Sequence, residues 1–130
     1  MLPTGWPRPR GYSNGVLAEG RVLALGGQIG WTPAGVFEHG ELVGQFAQAL
    51  DNLIAVVRAA GGGPEHIVQM TVFVTDLDAY RAGAVELGAA WRRLMGRTYP
   101  AMALVGVTGL VERDARVEIQ GLAVLPATKE

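Results

Sequence analysis

Glu118 is the residue best placed to do chemistry, because it interrupts a strand-like run, Arg116–Leu125, that is otherwise mostly apolar. A carboxylate turned inward from such a strand needs a partner, since burying an unpaired charge is costly. In a cleft it can hold and deprotonate water as a general acid–base group; on an open face it is simply solvated. Gln120 shares its face by strand alternation, and can hold the same water or sit in solvent. Tyr12 offers a phenol beside a proline-rich opening, where it either closes a cleft or fills core space. Gly27 suits a bulge or the close approach of another chain, and its backbone can equally touch a ligand. His39 and His66 do not read as a metal pair, and Gly61-Gly62-Gly63 lacks the lysine of a phosphate loop. No metal or other cofactor is therefore expected.

The elements that must position these groups follow from periodicity. Residues 1–10 carry three prolines and read as an extended arm. Tyr12–Ala18 and Arg21–Ile29 read as short strands joined by a hairpin turn at Glu19-Gly20. Leu42–Ala60 has the clearest helical pattern, with Leu42, Phe46, Leu50, Leu53, Ile54 and Val57 forming one apolar stripe. Gly61 suits a left-handed cap after it. His66–Thr75 alternates as a strand, with Val68, Met70, Val72 and Val74 on its apolar face. Thr75-Asp76-Leu77-Asp78 resembles a capping box opening a second helix, with Tyr80, Ala84, Leu87, Trp91 and Leu94 inward. Gly83 and Gly88 each weaken that helix by about 1 kcal/mol unless close packing needs them. Ala101–Val107 and Arg116–Leu125 close the chain as strands around a turn at Glu112-Arg113-Asp114. The order β-β-α-β-α-β-β places both helices on one face of a mixed sheet, an α/β (α+β) fold. The opposite face is then bare in a lone subunit.

Composition narrows the partners. One domain is expected of 130 residues, enough to bury roughly two thirds of the unfolded surface. A net charge of −1 supplies no field for a phosphate backbone, so nucleic acid is not expected as a partner. The absence of cysteine excludes disulfide and thiolate chemistry. No apolar run approaches membrane-spanning length and the first residues lack a signal-peptide core, so the expected location is cytoplasmic. A mean hydropathy of +0.23 favours hiding apolar surface against further copies of the chain.

Six stretches appear in one order: Gly11-Tyr12-Ser13, Gly26-Gly27-Gln28-Ile29, Gln48-Ala49-Leu50-Asp51-Asn52-Leu53, Val72-Phe73-Val74-Thr75-Asp76-Leu77, Tyr99-Pro100-Ala101 and Val117-Glu118-Ile119. Together, over about residues 11–125, they resemble the RidA/YjgF family, also labelled the endoribonuclease L-PSP family. The resemblance implies a chorismate-mutase-like fold for a domain over 11–126 and a homotrimer whose sheets close into a central barrel. It also implies small-molecule clefts between subunits and hydrolysis of enamines and imines to keto acids and ammonia. By resemblance Tyr12 and Gly27 match family site positions, and Glu118 matches the glutamate that orients the attacking water.

Two positions depart from the pattern. Met102 stands where the carboxylate-binding arginine is expected, and Ala84 where an asparagine is expected. A thioether cannot imitate a guanidinium's paired donors, and losing one partner of a desolvated charge pair costs about 2–5 kcal/mol. Met102 makes that wall apolar and adaptable. Arg97 and Arg10 are cations that can swing in as replacements, or else stay solvated. The leading expectation is a small-molecule imine/enamine hydrolase with an arginine-less intersubunit cleft, in which Glu118 and Met102 line the same intersubunit hollow. Glu118 and Tyr12 would be catalytic, and Gly27, Met102, Gln120 and Arg97 would bind substrate. The alternative is a non-catalytic trimer that binds a small metabolite. RNA cleavage, which the family label suggests, finds no basic groove or paired histidines to support it.

Overall fold

The computed structural model describes residues 1–128. Four strands, β1 (Arg21–Ile29), β2 (Ile67–Val74), β3 (Ala101–Gly106) and β4 (Val117–Leu125), form one sheet in the order β1-β4-β2-β3. β2 and β3 run parallel and the other neighbours antiparallel. Three helices, α1 (Leu42–Ala59), α2 (Leu77–Ala82) and α3 (Ala84–Met95), fill the connections. The sequence β-α-β-α-α-β-β therefore has one strand fewer and one helix more than the periodicity suggests.

The missing strand is Tyr12–Ala18. Only Ser13 from this stretch pairs with the sheet, through a lone parallel bridge to Ala101. Leu17 is 84% exposed, so the apparent alternation buries no apolar face. Gly20 does not turn a hairpin either. Its φ is +146°, and a side chain there would collide with the carbonyl oxygen of Leu125. This glycine lets the chain enter β1 hard against the end of β4.

The extra helix comes from Gly83, which ends α2 and begins α3. The start of α2 is capped by Asp76, whose carboxylate accepts from the Ala79 amide at 3.1 Å. Thr75 precedes that cap instead of serving as it. On α1 the expected stripe is realised: Phe46, Leu50, Leu53, Ile54 and Val57 are all buried. Gly61 follows at φ +91°, in the left-handed region.

α1 lies on β1 and β4, with α3 beside it. Their apolar faces meet Met70, Val72 and Val74 of β2 and Val117, Ile119, Ala123 and Leu125 of β4. On β2 a register shift between Ile67 and Gln69 resets the alternation, so Ile67 takes the core position that period two assigns to Val68. The alternate residues Glu118, Gln120 and Leu122 of β4 face away from the helices and are exposed or half-buried. Helices thus cover one face of the sheet, as expected, and leave the other open.

Gln45 of α1 is the sole buried polar side chain among the described residues. Its amide donates to the carbonyls of His39 (3.0 Å) and Asp114 (2.9 Å), and its oxygen accepts from the Arg116 amide at 2.8 Å. One side chain thereby fastens two long loops to the helix and starts β4 in register. Gln45→Leu leaves those three backbone groups without this partner in a part-buried site that water can partly reach. A fully buried unpaired group would cost about 1–3 kcal/mol. The expected loss is about 2–4 kcal/mol in urea unfolding; a loss under about 1 kcal/mol would remove the clamp from this account.

Candidate functional site

Strand pairing decides which residues can share a site. In the parallel β2–β3 ladder Met102 stands opposite Met70 and Leu104 opposite Val72. Met70 and Val72 are core residues, and Met102 and Leu104 pack against that core. Glu118 stands opposite Phe73, on the other face. Met102 and Glu118 therefore lie on opposite sides of the sheet. Within one subunit they cannot line the same hollow, so the shared hollow expected from the sequence would have to draw Met102 and Glu118 from different subunits. Alternation fixed the faces of each strand, but the relation between strands is set by long-range register.

On the open face, Glu118 is half-buried and lies against the backbone of Gly27. A Cβ at Gly27 would stand 2.7 Å from the carboxylate oxygen Oε1. Gly26 and Gly27 occupy a register shift between Leu25 and Gln28 of β1. The end of β1 is held by Asn52 of α1, which donates to the carbonyls of Ile29 (3.1 Å) and Trp31 (2.7 Å). Among the described residues no hydrogen bond or ion pair engages the Glu118 carboxylate. Gln120 shares its face, exposed, beside Thr71. The structure thus joins Gly27, Glu118 and Gln120 on one surface.

On the helix side, Met102 and Ala84 line one cavity of 280 Å³ with Phe46, Tyr80, Leu87 and Trp91. Its aromatic wall is firmly built. Trp91 stacks on Tyr99 with ring centres 6.3 Å apart, and its indole N–H donates to the Thr98 carbonyl at 3.1 Å. Ser13 donates to the Tyr99 carbonyl at 2.5 Å, which fixes the opening segment to the start of β3. Gly11 consequently reaches the cavity rim. Tyr12, 42% exposed, lies at an adjoining shallow hollow with Gln69 and Ala101–Ala103. Glu118 lines neither space.

Arg97 and Arg10 are exposed, and neither lines the cavity. The cation that does line it is Arg92, which the sequence reading passed over. Its signal was present: Ala84, Gly88 and Arg92 recur every four residues and so share one helix face. His66 lies in the short turn before β2, where its Nδ1 accepts from the Gly63 amide at 3.0 Å. Among the described residues no group of three or more metal-ligating side chains occurs. No helix is long and apolar enough to cross a membrane.

A four-stranded mixed sheet with helices on one face, an open carboxylate-bearing surface and an aromatic hollow define a small α+β domain. The model of the Endoribonuclease L-PSP family matches residues 7–125. The chain is 34% identical over 115 residues to Protein DfrA of Myxococcus xanthus, covering 87% of this chain and 84% of that one. It is 33% identical over 105 residues to the 2-iminobutanoate/2-iminopropanoate deaminase of Escherichia coli K12, covering 81% and 80%. Among solved structures, the Rid-family protein YyfB from Yersinia pestis superposes with a TM-score of 0.84 at 27% identity, over 96% of each chain. The chain belongs to the Endoribonuclease L-PSP (RidA/YjgF) family.

Tyr80 adds a titratable group to the hollow, and burial pushes its phenol above the usual value of 10.0. A raised folded-state value means the neutral phenol stabilises the fold below about pH 10, a contribution lost as pH climbs through the raised value. In an alkaline absorbance titration one tyrosine should ionise late, and Tyr80→Phe should remove that step and flatten the alkaline fall in stability. A late step that persists in Tyr80→Phe would assign it elsewhere.

Proposed function

We propose that the protein is a small-molecule imine or enamine hydrolase whose site forms between subunits of a homotrimer. The observation that carries this is the Glu118 carboxylate, held against Gly27 on the open sheet face with no partner among the described residues. Such a group is free to take a proton from water as the oxygen attacks a C=N carbon. Glu118 returns that proton to the nitrogen to give an amino alcohol; transfer of the hydroxyl proton to the same nitrogen then lets the C–N bond break, and a carbonyl compound and ammonia leave. The family membership and the deaminase relatives support that chemistry.

The opposite placement of Met102 and Glu118 supports an intersubunit cleft, because a space containing both has to draw on two chains. The open face offers the surface for such an assembly: Leu122, Val105 and Phe73 stand there among Gln69, Thr71 and Gln120. Tyr12, beside the Met102 segment, closes the cleft, while Gly27 gives room beside Glu118 and Gln120 steadies water. Light scattering should return the mass of three subunits, and Leu122→Asp should reduce it to one. A wild-type monomer would sink the assembly.

Ammonia release from enamines generated in solution tests the chemistry. Glu118→Gln should fall at least about 100-fold below wild type, within the usual range for acid–base groups. Equal rates would eliminate the proposed role. Met102 and Ala84 lining one apolar hollow favour a second reading, in which the trimer binds a metabolite without turning it over. Saturable thermal stabilisation by compounds that are never consumed would select it.

A further inference from the structure

The helix-side hollow, where Met102 and Ala84 stand in place of the expected arginine and asparagine, has a cation of its own. Its floor is apolar and deeply buried: Phe46, Leu87 and Trp91 are 3%, 4% and 7% exposed. Met102 continues the apolar surface from β3. Of the residues lining the hollow, Arg92 alone carries a charge, and no carboxylate accompanies it. Among the described residues Arg92 has no ion pair. Arg92 is exposed, so its guanidinium stays solvated at the rim while its paired donors remain free to meet a carboxylate entering the apolar hollow.

The geometry of α3 explains how the guanidinium reaches this position. A helical side chain leans back over the preceding turn, so residue 92 covers residue 88. Gly88 has no side chain, and Nη1 of Arg92 would lie 3.5 Å from a Cβ there, in ordinary contact. The guanidinium end of Arg92 therefore lies beside a glycine at the rim. Ala84, one turn earlier, keeps the same face low. Tyr80 and Tyr99 also line the hollow, and their neutral phenols are the other polar side-chain groups among its lining residues. A volume of 280 Å³ sits near the lower end of ligand cavities, roughly 300–1,000 Å³.

We propose that Arg92 is the carboxylate-binding residue of this hollow, which takes small acids bearing an aromatic or branched apolar body. The loss of a cation at Met102 is then offset from α3, and the anchor moves from the sheet to the helix. With the anchor on that side, Met102, Phe46 and Trp91 receive the apolar body. The proposal deepens the hydrolase reading by naming the substrate class, an imino or enamino acid with a large apolar side chain. It requires only binding, so it stands or falls separately from turnover.

Titration calorimetry on the full chain, with unreactive probes, provides the test. Phenylacetate should bind at least tenfold tighter than phenylacetamide, which has the same shape without the charge, and tenfold tighter than acetate. Arg92→Gln should abolish the preference for acid over amide, and Arg92→Lys should keep part of it. A purely structural role, such as a charge near the end of α3, would change melting without altering that preference. No phenylacetate binding, equal binding of acid and amide, or a preference that survives Arg92→Gln would each overturn the proposal. Loss of ammonia release with the preference intact would instead count against the hydrolase reading alone.

Discussion

The pleat of the sheet is the constraint on which the molecule depends. Successive side chains of a strand must point to opposite faces, and backbone ladders lock each strand's faces to those of its neighbours. β4 lies at the heart of this arrangement, paired with β1 on one side and β2 on the other. Its odd-numbered residues Val117, Ile119, Ala123 and Leu125 enter the core under α1. Its even-numbered residues, Glu118 among them, have to face outward. Moving β4 by one residue would bury a carboxylate and expose four apolar side chains, so the register is strongly enforced.

The same constraint divides the chemistry. The helix-side hollow is aromatic and has Arg92 as its one charged lining residue; the open face carries the Glu118 carboxylate. Neither half offers both an acid and an anchoring charge. A fold with helices on one face gives a lone subunit two unlike surfaces, which the proposed trimer would bring together. The break at Gly83 contributes to the closed half. Because α2 stops there and α3 restarts, Tyr80 from one helix and Leu87 and Trp91 from the other can face a common space.

Local signals in the sequence carried what is local in the structure. The α1 stripe, the left-handed Gly61 and the faces of β4 are short-range patterns, and each is realised within a residue or so of its expected bounds. The strand at Tyr12–Ala18 failed because alternation says nothing about whether an edge is available for pairing, and Ser13 finds Ala101 only across most of the chain. Gly20 was misread for the same reason, since its collision partner, Leu125, is remote in sequence. The site was legible in pieces. Glu118 and Gly27 do come together, whereas the placement of Glu118 and Met102 on opposite faces of one sheet follows from the β2–β3 register, a parallel crossover that no local pattern reveals. Arg92 was missed because attention to Arg97 followed nearness in sequence to Tyr99-Pro100-Ala101, when helical spacing was the relevant measure.

The contact between Gly27 and Glu118 has a consequence for anyone who alters this protein. Even a methyl group at position 27 would occupy space now held by the carboxylate, so the acid would have to rotate or the β1 shift relax. The two positions behave as a single variable: a library that randomises residue 27 alone also scrambles the orientation of residue 118, and its losses would be blamed on the wrong site. Paired randomisation, read through double-mutant cycles, is the design that separates room from reactivity.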